Sequence, residues 1–293
     1  MSRFWVSSCL SLALIVSPAF AQTPDKGENT ITVTGQKLEK KEAKRQSRAF
    51  IGQTTTTSFS QYAQRNRPIC PRAIGIAENY AAIVETRIRT IAKAANVKAE
   101  HGDCAPNLFV LFTTDSNGLM ATLRKVKPAV FGDVNVRERP ALYADPVPIR
   151  WWHSVTLAGS DGNVANKSTD IQGNEIIETK SFSSSLIDTK IVINLTGSVV
   201  VVDINKATGY PLDSIAAYAA MVSFSQIKPE KKHEALPSVL AMFGDGKSPG
   251  DAPRDLTAFD YAYVSSLYDI LPNRAGNVQK SQIANKMAAK LAQ

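Results

Sequence analysis

Residues 211–227, PLDSIAAYAAMVSFSQI, constrain the fold more than any other stretch of the chain. Apolar and small side chains occupy almost every position, so the segment reads as a helix buried on all sides. The strand-like run SVVVVDI (Ser198 to Ile204) leads into it. A second apolar run, LTAFDYAYVSSLYDIL (Leu256 to Leu271), returns after it. A helix of this kind must sit between packed layers. A chain of 293 residues with 44% hydrophobic and 20% charged residues can bury such a core, in one large domain or two small ones.

The first residues read as a leader rather than as part of that core. Arg3 supplies a positive charge, LSLALIV (Leu10 to Val16) an apolar stretch, and Ala19-Phe20-Ala21 a small-x-small cleavage site. The apolar stretch is too short to span a bilayer, so the mature protein is expected without a transmembrane segment. A signal peptide over residues 1–21, cleaved after Ala21, implies export to the periplasm or beyond. Its removal takes the net charge from +8 to +7 and leaves two cysteines, Cys70 and Cys104. An even pair in an oxidising compartment, without C-x-x-C spacing, predicts one structural disulfide.

Residues 22–66 are polar and basic, with QKLEKKEAKRQSR, TTTTS and RNRP in succession. They are expected to form a flexible basic arm, with one helix through Lys37 to Ala49. Export argues against nucleic acid as the partner of these charges. Order is predicted from residue 67 to 293 as a single α+β domain. Tyr80, Val84, Ile88, Ile91 and Ala95 recur at helical spacing and predict an amphipathic helix from Glu78 to Ala95. NLFVLFTTD reads as a buried strand, Asn117-Gly118 as a turn before a short helix, and Ile149 to Gly159 as a strand. Asp161-Gly162 is a hairpin signal. Thr257 and Asp260 have capping-box spacing. Ile283, Met287 and Leu291 give the C-terminal helix a docking stripe. Several strands between early and late helices favour a mixed sheet and an α+β fold over strict βαβ alternation.

The chemistry-bearing motifs are mostly absent. Gly246-Lys247-Ser248 lacks the earlier P-loop glycine and is followed by Pro249-Gly250. Asp161 and Asn163 open a calcium-loop pattern that fails at Ala165, Asn166 and Gln172. No G-x-S-x-G pentapeptide occurs. The sequons at Asn166 and Asn194 matter only in a glycosylating host. A zinc peptidase helix needs two histidines at i and i+4 with a glutamate beside the first. The stretch from Asp213 to Ile227 has neither residue type, and His101, His153 and His233 stand far apart in sequence. No metal, cofactor or catalytic residue is therefore assigned. Arg150, Trp152 and His153, in RWWHSV, are the candidates to line a ligand groove.

Taken together, ITVTGQK, CPRAIGI, VETRIRTIAKAANV, CAPNLFVLF, VVVVDINKATGYPL and IAAYAAM resemble a group of uncharacterised exported proteins of sphingomonad-type alphaproteobacteria. PSVLAMF and LTAFDYAYVSSLYD are more distantly similar to secreted domains with a zincin-like core, here without the H-E-x-x-H motif. That resemblance implies a degenerate zincin-like architecture: an early helix, a central buried helix and a returning helix. It brings no catalytic residue, because no position matches one. The expected function is that of a non-catalytic envelope protein binding a partner or polymer. The alternatives are a hydrolase with a site near His153 and an adhesion module that uses the basic arm.

Overall fold

The computed structural model describes residues 38–143, 147–169, 171–172, 175–180, 188–229, 236–244 and 246–292. The leader, residues 22–37 and His233 lie outside them. The central sheet has four strands, β1 (Pro71–Ile74), β2 (Leu108–Thr113), β3 (Ile149–Gly159) and β6 (Ile191–Asp203). Their order is β1-β2-β6-β3; the first three run parallel and β3 pairs antiparallel at the edge. A separate antiparallel pair joins β4 (Asn166–Thr169) to β5 (Glu175–Glu178). Helices α1 (Lys40–Thr54), α2 (Glu78–Ala94), α3 (Ser116–Val126), α4 (Arg139–Tyr143), α5 (Leu212–Phe224), α6 (Ala258–Leu267) and α7 (Gly276–Leu291) complete an α+β fold.

The valine run of β6 is covered on both faces, which is why it reads as a continuous apolar stretch and not an alternation. Val200 and Val202 face the main core with α2 and α5. Val201 faces a smaller cluster of Met120, Phe131, Val134, Leu142 and Trp152. The main core takes in α5, with eleven of its residues buried, from Ser214 to Phe224. The strand Ile149–Gly159 has the bounds read from the sequence. The Thr257–Asp260 capping box forms as expected at the start of α6. Asn117-Gly118, expected as a turn, instead lies in the first turn of α3, because Asp115 Oδ1 accepts from Gly118 N at 2.8 Å and starts the helix earlier.

The flexible-arm expectation is corrected for residues 38–66. Ala43, Gln46, Ser47, Phe50, Ile51 and Thr54 line one face of α1 and are buried. The Phe50 ring lies 5.9 Å from Phe259 and 5.7 Å from Tyr263. Further on, Tyr62 N donates to the buried Gln279 of α7 at 2.8 Å. Gln64 then pairs alongside Asn194 in parallel. The stripe at helical spacing is real, but four of its six residues are small or polar, so periodicity in apolar residues alone does not reveal it.

Truncating Phe50 to alanine opens a cavity at the junction of three helices. Phe50→Ala is expected to cost about 3–5 kcal/mol in urea denaturation; a dispensable arm would show no change. The predicted bridge joins Cys70 to Cys104 across 34 residues. On the chain-entropy relation its removal in Cys70→Ala/Cys104→Ala lowers stability by about 3–4 kcal/mol, readable in the same experiment.

Candidate functional site

The central helix ends inside the protein. The last four carbonyls of any α-helix lack an intrahelical donor, and α5 runs into the extended residue Ser225 rather than a glycine cap. Side chains satisfy each oxygen in turn. Ser225 Oγ reaches Met221 O at 3.5 Å, and His153 Nε2 donates to Val222 O at 2.6 Å. Ser223 O accepts from Arg65 Nε (3.1 Å), Arg65 Nη2 (3.0 Å) and Ser198 Oγ (3.1 Å). Phe224 O accepts from Tyr268 Oη at 2.7 Å. A guanidinium suits this place, because the carbonyl end of a helix carries partial negative charge. Arg65 Nη2 also donates to Ser198 Oγ at 2.6 Å. Burial pulls the Arg65 pKa down from its ordinary value, yet arginine retains its proton in proteins.

The Arg150–His153 stretch is divided by the period of a strand, which sends neighbouring side chains to opposite faces. Arg150 is buried and donates to Asn117 Oδ1. Trp152 lies in the smaller cluster, 5.0 Å from the Phe131 ring. Trp151 and His153 face the other way, and Trp151 Nε1 donates to Ile227 O at 3.1 Å. Trp152 and His153 share only a crevice of about 30 Å³ at the sheet edge, and Arg150 does not line it. The three candidates therefore do not form one groove. His101 is exposed in the loop after α2. Among the described residues, no group of three or more His, Cys, Asp or Glu side chains is placed to hold a metal ion.

Aromatic rings cover one face of α5. Trp151 meets Tyr218 at 5.8 Å, Tyr218 meets Phe243 at 5.5 Å, and Phe243 meets Tyr210 at 4.6 Å. Under them Ala216, Ala217, Ala219 and Ala220 are fully buried.

A cleft of about 920 Å³ opens on the other side of Arg65. Its outer wall is the Cys70–Cys104 disulfide. Asn107 braces that wall: its Oδ1 accepts from Cys70 N and its Nδ2 donates to Pro68 O, both at 2.9 Å. The inner wall is the far half of the antiparallel β3–β6 pair. A bulge between Ser154 and Val155, closed by Thr196 Oγ on Ser154 O at 3.1 Å, turns Thr156 and Asn194 into the cleft lining. Arg65 and Asn194 are each only 8% exposed and both line the cleft. Among the described residues, neither Arg65 Nη1 nor the Asn194 carboxamide has a hydrogen-bond partner.

Comparison with protein-family models, curated proteins and solved structures finds no match to this chain. The cleft must therefore be read from its own chemistry. Sequence reasoning missed both of its buried donors. Arg65 sits in the basic RNRP run and reads as a solvated charge, and Asn194 reads only as a sequon. The available signal was the strand-length run ending at Leu195, which places Asn194 on a sheet.

The cap makes a pH prediction. Burial pushes the His153 pKa down to about 4, against the Val222 carbonyl that favours the protonated ring, and the nearby Arg65 charge lowers it further. The folded state thus holds a neutral imidazole while the unfolded chain protonates near 6.5. Stability from this group is complete above pH 6.5 and is lost as pH falls toward 4, by about 3 kcal/mol. Denaturation of wild type and His153→Gln between pH 7 and 4 isolates that loss, since the glutamine does not titrate. Asp203 contributes in a lower window. Burial opposes its ionisation, but Lys206 and Ser116 outweigh that and bring it to about 2.

Proposed function

We propose that this chain is an exported envelope protein that binds a partner or polymer in the Arg65 cleft, on a zincin-like body without peptidase chemistry. The observation that carries this reading is the pair of nine-tenths-buried polar side chains, Arg65 and Asn194, that face a cleft of about 920 Å³ with donors left over. Cavities with a few convergent polar groups are the usual ligand sites. The disulfide wall supports an oxidising compartment, in keeping with the leader-like N-terminus. The antiparallel edge strand, the buried α5 and the returning α6 support the zincin-like comparison. His153, neutral and committed to Val222 O, suits a cap better than a general base.

Thr156 is exposed on the cleft wall, so a tryptophan there fills the cleft without touching the core. Purified mature protein is expected to co-sediment with isolated cell-wall sacculi or envelope membranes, and Thr156→Trp to lose at least tenfold in binding. No association with either preparation, or association that Thr156→Trp leaves unchanged, overturns the proposal.

A further inference from the structure

We infer that the ligand of this cleft is a short peptide segment whose carboxylate docks on Arg65 Nη1 and the Asn194 carboxamide; this rests on the binding reading above. Three observations point to that chemistry.

The first is the state of the guanidinium. Arg65 Nε and Nη2 are both spent on Ser223 O and Ser198 Oγ. Because the guanidinium is planar, those bonds fix where the remaining Nη1 edge points. The second is Asn194, which lines the same cleft and whose carboxamide offers N–H donors to it. A cation and a neutral donor on the lining of one cleft suit an anionic oxygen pair, and charge-assisted bonds of this kind are about twice as strong as neutral ones.

The third is the rim. Glu100 and Asp103 are exposed at the cleft mouth, with Arg67 on the same rim. An anion-only ligand such as a polyanionic polymer would meet those two carboxylates at a cost. A peptide avoids it by placing its carboxylate on the floor and an ammonium group at the rim. The cleft volume, about 920 Å³, is of ligand-site size. Its two walls are the disulfide-linked loops and the bulged β3–β6 pair.

The probe is the tripeptide Lys-Ala-Ala, titrated calorimetrically into the full mature chain as the free acid and as the C-terminal amide, with galacturonate as a sugar-acid control. The free acid is expected to bind, the amide at least tenfold more weakly, and galacturonate more weakly than the free acid. Asn194→Asp adds a carboxylate to the cleft that Arg65 lines and leaves the α5 cap intact; it is expected to lose at least tenfold for the free acid while the thermal unfolding profile stays that of wild type. Arg65→Gln is expected to lose binding and stability together, so Asn194→Asp is the deciding variant. Equal binding of acid and amide, unchanged binding in Asn194→Asp, or galacturonate binding in place of the peptide overturns the inference. Any of these, with sacculus or membrane binding still lost in Thr156→Trp, leaves the cleft a binding site and removes only its peptide assignment.

Discussion

A helix that stops in the interior leaves four oxygens that water cannot reach, and the rest of this structure is arranged around that requirement. A surface helix meets it with a glycine turn or with solvent. Here α5 continues into the extended Ser225 with both residues buried at its junction, Phe224 and Ser225. An unpaired buried oxygen costs about 1–3 kcal/mol, so leaving the set open would consume a large part of an ordinary domain's stability. Donors must come from elsewhere in the chain, and they come from places far apart in sequence.

Those donors explain the topology better than the apolar core does. His153 arrives on the edge strand β3, and Ser198 on the central strand β6, the two paired in register. Tyr268 arrives just after α6, and its hydroxyl also accepts from Arg65 N at 3.4 Å. Burial raises the Tyr268 pKa to about 12, even beside the Arg65 charge that opposes the rise, so the phenol remains a donor. Arg65 itself comes from the segment after α1, which is why that segment belongs to the body. The packing of Phe50 and the bond from Tyr62 to Gln279 hold the segment in place, and the cap gives it a reason to be there.

The same logic separates what was legible in the sequence from what was not. Elements defined by their own residues could be read directly: the valine run of β6, the stripe of α2 from Val84 on (Tyr80, expected in it, is 52% exposed), the bounds of β3, the Thr257–Asp260 box and the cysteine pair. Asp260 illustrates how local that signal is. It is fully buried, and burial raises its pKa against the pull of Ser238, Val239 N and Thr257; only Thr257 belongs to its own helix start, and that is the contact the sequence shows. Features defined by distant partners could not be read. Nothing in RNRP announces that one arginine will end up 8% exposed beneath a helix terminus. RWWHS looks like a cluster only until strand period sends Trp152 to Phe131 and His153 to Val222. Arg150 stays outside the crevice that Trp152 and His153 line, since it and His153 point to opposite faces of the strand.

Cap and cleft are two consequences of one side chain's geometry. A flexible surface arginine would surrender rotamer freedom on meeting a ligand, at about 0.5–1.5 kcal/mol. Arg65 has already surrendered it in folding, because Nε and Nη2 are held by Ser223 O and Ser198 Oγ. The bulge at Ser154 and Val155 works on the opposite wall in the same way: it interrupts the ladder one residue beyond His153, so the strand caps the helix on one side of the break and lines the cleft on the other. A fold that spends buried polar groups on closing a helix end thereby acquires, at no further ordering cost, a fixed cation at the floor of an open cleft.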